Sequence, residues 1–270
     1  MKKKIPRWLK ITLIVYALIG IAFYSFQKKI LFQPVVVARD SVYQFELPYE
    51  DIWMSVDKDT ETHIVHFTVP DSLRKGLVLY FHGNRGNVRR YRRFVEQFTS
   101  HGYAVWMPDY PGFGKSTGEL TEQAIYDQAL QVYKRARQFY QPNQIIIYGK
   151  SMGTGAATQL ASVRDCKRLI LETPYNSMRS LIGMYLWMYP LQSILKYQFP
   201  SNEFMKKVTA PVTIFHGTED GVIPYRNAVK LKSVLKPNDE FITIENGSHR
   251  DLNTFIEMKR KMDSLLEESP

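Results

Sequence analysis

The chain has 270 residues, of which 44% are hydrophobic and 13% aromatic, and this composition excludes a disordered or low-complexity protein. Its formal net charge is +10, but seven basic residues and no acidic residue lie within positions 1–30, so that the rest of the chain carries only +3. This distribution argues against a nucleic-acid-binding protein.

The first predicted element is an uncharged apolar segment, ITLIVYALIGIAFYSFQ, at residues 11–27. Its length is near the lower limit of the roughly 17 to 25 residues that cross a bilayer as a helix. A cleaved signal peptide is the alternative, with Gly20-Ile21-Ala22 as the processing site, but the apolar run continues beyond those residues. We therefore predict an uncleaved signal anchor in residues 1–29, followed by one globular domain in residues 30–270.

The charges on either side of this segment predict its orientation. Five basic residues precede the segment, and Lys28 and Lys29 follow it. Because cytoplasmic flanks carry the excess of positive charge, we expect the N-terminus in the cytoplasm and the domain in the periplasm or outside the cell.

The globular part begins with two strand-like runs, DIWMSV at 51–56 and THIVHFTV at 62–69, which we predict to form an antiparallel pair at one edge of a sheet. Six further runs are apolar nearly throughout, as expected of strands buried on both faces. They are GLVLYFHG (76–83), YAVWMPDY (103–110), QIIIYGKS (144–151), RLILETP (168–174), VTIFHGT (212–218) and FITIENGS (241–248). Helical patterns separate them, and this order predicts an α/β fold with a mainly parallel, doubly wound sheet.

Two Gly-Lys-Ser triplets, at positions 114–116 and 149–151, raise the possibility of a phosphate-binding loop. Such a loop requires a glycine five positions before the glycine of the triplet, so that the backbone amides wrap around the phosphates. Asp109 and Gln144 occupy those positions instead. The sequence therefore does not predict a nucleotide-binding site.

The second triplet also belongs to a G-x-S-x-G motif, formed by Gly149, Ser151 and Gly153. In this motif the serine lies in a strained turn between a strand and a helix, and the flanking glycines allow the two elements to approach each other. Here the buried strand QIIIY precedes the turn, and a helical pattern rich in small residues follows it. Ser151 is therefore the candidate nucleophile.

A serine hydroxyl needs a general base and an acid that orients the base. In this architecture the acid and the histidine follow the serine in that order, each in a loop at the carboxyl end of a later strand. Asp220 in FHGTEDGVIP and His249 in ENGSHRDL meet this requirement. Glu219 and Glu172 remain alternatives for the acid.

Acyl transfer also requires hydrogen-bond donors for the developing oxyanion. The amide of the residue after the nucleophile is one donor, and an amide from the loop after an early strand is the other. These are Met152 and, in FHGNRGN, Asn84. The adjoining basic cluster RGNVRRYRR, with arginines at 85, 89, 90, 92 and 93, is most simply interpreted as a solvated helix face. The alternative is a binding patch, for which an anionic membrane surface would be the natural partner.

The single cysteine, Cys166, precedes the strand-like run at 168–174, where we expect it to pack. One cysteine excludes an intramolecular disulfide and a cysteine-based zinc site. We found no other cluster of metal-ligand residues, and therefore expect neither a metal nor a cofactor.

One connection, at about residues 175–207, is much longer than usual and rich in Met, Tyr, Leu and Trp. Its simplest interpretation is a packed helix pair. Its position favours a small helical cap over the active site, whose apolar residues would suit acyl chains.

Over roughly residues 45–265 the sequence resembles the α/β-hydrolase superfamily. The matching pieces are YFHGNRGN, DYPGFGKSTGE, YGKSMGTGAA, ETPYNS, APVTIFHGTEDGVIP and GSHRDL. Together with QKKILFQP after one apolar segment, they resemble its membrane-anchored, depalmitoylase-like branch. The resemblance implies the α/β-hydrolase fold, catalytic Ser151, Asp220 and His249, and oxyanion-binding amides at Asn84 and Met152.

These observations predict a membrane-anchored serine hydrolase that cleaves carboxylic esters or thioesters, with a lipid-like acyl ester as substrate. A serine peptidase acting on short peptides is the alternative within the enzymes. A non-catalytic, membrane-tethered binding protein is the alternative outside them. Neither a nucleic-acid partner nor a particular oligomeric state is indicated.

Overall fold

A computed structural model describes residues 6–56 and 60–267 of the chain. The basic positions 2–4, on which the predicted orientation partly depends, lie outside the described residues. The first element is helix α1, Arg7–Leu31, which contains the whole uncharged apolar segment at 11–27. Among the described helices it alone has the length and composition of a membrane span. Its most apolar stretch has a mean hydropathy of 1.9, and none of that stretch is buried.

Eight strands form one sheet in the order β1-β2-β4-β3-β5-β6-β7-β8. They are β1 (Tyr49–Ser55), β2 (Glu61–Phe67), β3 (Gly76–Phe81), β4 (Tyr103–Pro108), β5 (Ile145–Lys150), β6 (Arg168–Glu172), β7 (Val212–Gly217) and β8 (Glu240–Ile244). Strand β2 runs antiparallel to β1 and β4, whereas all other neighbours are parallel. The predicted fold class, a mainly parallel sheet with an antiparallel edge, is confirmed.

Helices cover both faces of the sheet. They are α2 (Val88–Tyr91), α3 (Glu96–Thr99), α4 (Glu122–Ala136), α5 (Gly153–Ala161), α6 (Met178–Ile182), α7 (Leu191–Ile194), α8 (Ser201–Met205), α9 (Tyr225–Ala228) and α10 (Ile256–Glu267). The described chain also contains short 3₁₀ turns, at Asp71–Leu73, Arg92–Phe94, Pro142–Gln144, Val229–Val234 and Leu252–Thr254. Three of the helical patterns in the sequence are therefore divided into α-helical and 3₁₀ pieces: VRRYRRFVEQFTS (88–100), PYRNAVKLKSVL (224–235) and DLNTFIEMKRKMDSLLEE (251–268).

Strand β3 illustrates why the central runs are apolar nearly throughout. Leu77 and Leu79 belong to the hydrophobic core on one face of the sheet, and Val78 and Tyr80 to the core on the other. Successive strand side chains point to opposite faces, so a strand covered on both sides needs apolar residues at every position. Parallel strands packed in this way place the carboxyl ends of β3, β5, β7 and β8 along one edge of the sheet.

Cys166 packs beside the hydrophobic core, and burial raises the pKa of its thiol to about 12.

The long connection between β6 and β7 contains helices α6, α7 and α8, and α1 packs against it. The rings of Tyr16 and Tyr189 stack with their centroids 4.4 Å apart. Gln27 is buried, its Nε2 donates to the carbonyl of Ile194 at 3.0 Å, and its Oε1 accepts from the amide of Lys196 at 2.7 Å. One face of the apolar helix is therefore attached to this connection, while the opposite face is exposed.

Candidate active site

The turn after β5 has the geometry of a displayed nucleophile. Ser151 has a φ of +54°, a left-handed conformation that is uncommon for a residue other than glycine. A Cβ atom on Gly153 would overlap the carbonyl oxygen of Phe81, and one on Gly149 would lie 2.7 Å from the Cβ of Ala157. Both glycines are therefore required by the close approach of α5 to the sheet, as the sequence predicts.

The structure brings the three predicted catalytic side chains together. His249 Nε2 lies 2.8 Å from the Oγ of Ser151, and His249 Nδ1 lies 2.7 Å from Oδ2 of Asp220. Because the carboxylate only accepts, Nδ1 carries the proton, and Nε2 accepts from the serine hydroxyl. The arrangement can therefore remove the proton of Ser151 and stabilise the resulting imidazolium.

Asp220 is held in this position by its own loop. Its Oδ1 accepts hydrogen bonds from the amides of Val222 and Ile223, at 2.8 and 2.7 Å. Burial by itself raises the pKa of Asp220, but the hydrogen bond from His249, the positive charge of that ring and the Ile223 amide together hold it below its ordinary value. His216 Nε2 donates to the carbonyl of Ile223 at 2.9 Å and so fixes the same loop.

The two alternative acids lie in different surroundings. The buried carboxylate of Glu172 accepts hydrogen bonds from the ammonium of Lys150 and the hydroxyl of Tyr148. Its carbonyl accepts from the amide of Ser151 at 2.9 Å, so Glu172 supports the turn from below. Glu219 is exposed at the surface. Asp220 is thus the acid that contacts His249.

The loop after β3 provides the second predicted oxyanion donor. The amides of Asn84 and Met152 donate to no acceptor within the part of the chain that the structure describes. The carbonyl of Asn84 accepts from the amide of Gln33 at 2.8 Å, and its side-chain Nδ2 donates to the carbonyl of Leu31 at 2.7 Å. The end of α1 therefore fixes the loop that presents one of the two free amides.

A buried network holds the same loop from the other side. Asp109 Oδ1 accepts from the amide of Val88 at 2.9 Å and lies 3.2 Å from Nε2 of His82. The hydroxyl of Tyr110 donates to the carbonyl of His82 at 2.7 Å. The first Gly-Lys-Ser is part of this turn, since Ser116 Oγ donates to the carbonyl of Asp109 at 2.7 Å.

Two pockets meet at Ser151, and the sequence did not predict that α1 contributes to both of them. One has a volume of about 270 Å³ and the other about 140 Å³. Ile30 at the end of α1 lines both, together with Asn84, Ser151 and Val222. The only sequence signal for this role of α1 was QKKILFQP, which carried no functional assignment.

Comparison with solved structures identifies the fold. The esterase Pf2001 of Pyrococcus furiosus superposes with a TM-score of 0.67 and 20% identity, covering 87% of this chain and 98% of the esterase. A family model described as serine aminopeptidase, S33, matches residues 73–204. The chain has the α/β-hydrolase fold. A second α/β-hydrolase neighbour, the monoacylglycerol lipase of Paleococcus ferrophilus, has a TM-score of 0.58 and 16% identity over 76% of this chain and 98% of the lipase.

Curated relatives of this chain are more similar to it in sequence. The lysophosphatidylserine lipase ABHD12 of Rattus norvegicus is 32% identical over 188 residues, which are 61% of this chain and 46% of the lipase. The human alpha/beta hydrolase domain-containing protein 17C is 28% identical over 194 residues, or 70% of this chain and 57% of that protein. The chain spans about half the length of the curated relatives it matches.

Proposed function

We propose that this α/β-hydrolase cleaves carboxylic esters or thioesters through an acyl-enzyme formed on Ser151. The observation that carries the proposal is the hydrogen-bonded series from Ser151 through His249 to Asp220. His249 accepts the proton as Ser151 Oγ attacks the acyl carbon, and Asp220 stabilises the imidazolium. The free amides of Asn84 and Met152 would bind the oxyanion, a contact typically worth about 10²- to 10³-fold in kcat per donor.

The same residues complete the reaction. His249 returns its proton to the leaving oxygen or sulfur, and the bond from this atom to the acyl carbon breaks. A water molecule then attacks the acyl-enzyme with His249 again as the base, which releases the carboxylic acid and regenerates Ser151. No step requires a redox change.

Electrostatics argue against an aminopeptidase, although the matching family model carries that description. An aminopeptidase must bind the α-ammonium group of its substrate beside the nucleophile, and a carboxylate is the group that pairs with such a charge. The larger pocket at Ser151 is lined instead by Arg85, Arg90, Arg93 and Arg250. These cations would repel a substrate ammonium group, and esters fit the pocket better.

A substrate panel on the full-length protein tests the proposal. We expect turnover of p-nitrophenyl esters of fatty acids and none of aminoacyl p-nitroanilides, because the smaller pocket is apolar and the larger one cationic. The measurement is kcat/KM for each compound over a series of acyl lengths. Turnover of the anilides alone would favour the peptidase. Failure of a correctly folded protein to process either class would favour the non-catalytic binding protein.

We further propose that residues 1–29 are a signal anchor, that residues 30–270 form the hydrolase domain, and that residues 175–207 form its cap. Support comes from the exposed apolar surface of α1, which water would solvate poorly. The cap presents Tyr185, Trp187 and Met188 to the outside beside α1. Because the cap contacts α1 at Tyr16 and Gln27, an anchored chain would hold the cap against the outer leaflet, with the N-terminus in the cytoplasm.

Fractionation of a bacterial host that expresses the full chain tests this placement. We expect the protein to remain in the membrane pellet after alkaline carbonate extraction, because α1 is long enough to span the hydrocarbon core. Protease added to intact spheroplasts should digest the domain. Release by carbonate would contradict the anchor, and a mature chain that begins after Ala22 would establish the cleaved signal peptide instead.

A further inference from the structure

The larger pocket at Ser151 is strongly cationic. Arginines from four separate places converge on it: Arg85 after β3, Arg90 in α2, Arg93 in the following 3₁₀ turn and Arg250 after β8. No carboxylate lines this pocket within residues 6–56 and 60–267. Such a concentration of one charge around a nucleophile attracts an anion and disfavours a cation.

Two of these arginines have contacts within the described chain: Arg93 lies 4.7 Å from the centroid of the Phe94 ring, and Arg90 shares a hydrogen bond with the hydroxyl of Tyr91. None of the four forms an ion pair with a described carboxylate. Lys150, which also lines the pocket, differs from them because its charge is neutralised by Glu172. The four arginine side chains are exposed, no described carboxylate neutralises them, and their planar donors suit phosphate and carboxylate oxygens.

The smaller pocket has the opposite character. Most of its side chains are apolar and include Leu31, Met152, Met178, Leu181 and Ile223, whereas Asn84, Ser151 and Tyr175 are the polar ones. None of its described lining residues is charged. The volume of about 140 Å³ is close to that of an engineered apolar cavity of roughly 150 Å³ that binds benzene. It therefore accommodates about six carbon atoms of an acyl chain.

The position of His249 decides which end of the substrate enters which pocket. His249 lines the cationic pocket and not the apolar one, whereas Met152 lines only the apolar pocket. The general acid must lie within hydrogen-bond reach of the leaving atom that it protonates. The leaving group therefore occupies the cationic pocket, and the acyl chain occupies the apolar pocket on the far side of Ser151.

We propose that the substrate is an acyl ester or thioester whose leaving alcohol or thiol carries a phosphate or carboxylate group, bound by Arg85, Arg90, Arg93 and Arg250. This inference rests on the proposed acyl-enzyme mechanism and adds its substrate class. Ser151 Oγ forms a bond to the acyl carbon, the bond to the leaving oxygen or sulfur breaks, and His249 transfers the serine proton to that atom. Water then releases the acid, so the products are a carboxylic acid and an anionic alcohol or thiol.

The experiment compares two chromogenic esters that differ by one negative charge. They are the hexanoyl esters of 4-nitrophenol and of 3-carboxy-4-nitrophenol, assayed with the full-length protein in a neutral detergent. The variant is the double substitution Arg90→Glu and Arg93→Glu. The matched control is Arg89→Glu, which lies in the same basic segment but does not line the pocket. Hydrolysis of the neutral ester serves as the check that each variant folds.

We expect the ratio of kcat/KM for the anionic ester to that for the neutral ester to fall about tenfold in the double variant, because two partly exposed attractive contacts become repulsive. The Arg89→Glu control should keep the wild-type ratio. Hexanoylglycerol and hexanoylglycerol phosphate, compared in the same way, distinguish a carboxylate-selective pocket from one that also accepts phosphate. A fall in either ratio supports the proposal.

Other results would overturn it. An unchanged ratio in the double variant, with the neutral ester still hydrolysed, overturns the substrate class and leaves the esterase proposal intact. An equal fall in the Arg89→Glu control assigns the effect to the general surface charge. If the double variant loses only its binding to vesicles containing phosphatidylglycerol, the arginines serve the membrane and not the substrate. Failure of the wild type to hydrolyse any of the esters removes the proposed function itself.

Discussion

Substitution of Ser151 by alanine is expected to lower kcat for ester hydrolysis by a factor of about 10⁴ to 10⁶, since no other group can form the acyl-enzyme. The residual rate would come from the amides of Asn84 and Met152 and from substrate binding, which remain. The same substitution should abolish covalent labelling by a fluorophosphonate probe. Steady-state kinetics and in-gel fluorescence of the purified full chain measure the two effects.

The matched control is Ser162→Ala, at the opposite end of α5. Its hydroxyl donates only to the carbonyl of Gln159, so both labelling and turnover should remain at the wild-type level. The Ser151 hydroxyl has His249 as its hydrogen-bond partner, so removing the hydroxyl leaves the backbone of the turn intact. The Ser151 variant should therefore keep the circular dichroism spectrum of the wild type. Persistent labelling of a folded Ser151→Ala protein would show that the nucleophile is a different residue.

The candidate site was predictable because its residues follow from local sequence and from one property of parallel sheets. The runs that became β5, β7 and β8 are apolar, and each ends in a loop that carries one of Ser151, Asp220 and His249. Since the carboxyl ends of neighbouring parallel strands share an edge, the order of the runs along the chain was sufficient to bring the side chains together. The glycines beside Ser151 identified the turn.

Contacts between distant parts of the chain left no comparable pattern. The loop at Asn84 is fixed by the carbonyl of Leu31, which accepts from the Asn84 side chain, and by the amide of Gln33, which donates to the Asn84 carbonyl. Any residue at position 31 has such a carbonyl, and any residue except proline at position 33 has such an amide. Their role therefore could not be predicted from residue identity. The arginine cluster was interpreted as a solvated helix face because its sequence alone does not reveal that Arg250, far along the chain, faces the same pocket.

The pieces of 3₁₀ helix were missed for a related reason. Tyr91, Phe94, Val95 and Phe98 are all buried, and this spacing is typical of one face of an α-helix. Periodicity identifies which side chains face the core, but an α-helix and a short 3₁₀ turn place such neighbours on nearly the same face. The buried face of the segment was thus predictable, and its hydrogen-bond pattern was not.

The second large expected effect is a loss of activity when Asp220, one of the three candidate acids, is replaced. Substitution of Asp220 by asparagine should lower kcat by about 10⁴, because the amide neither stabilises the imidazolium nor selects the tautomer in which His249 Nε2 accepts the serine proton. The pKa of Asp220 is held below its ordinary value, so the carboxylate that is lost is ionised throughout the neutral range. Rates of ester hydrolysis by the full chain measure the effect.

Two further variants make the assignment specific. Glu219→Gln, at the exposed neighbouring position, should leave kcat within about twofold of the wild type, since distant surface charges are screened by salt. Glu172→Gln should act mainly on stability, because it removes the charge that neutralises the buried ammonium of Lys150, and breaking such a pair typically costs about 3 to 5 kcal/mol. Thermal unfolding separates this loss from a catalytic one. If Asp220→Asn retained its activity while a folded Glu172→Gln variant lost it, the acid that orients His249 would be Glu172, and the hydrogen bond between His249 and Asp220 would have only a structural role.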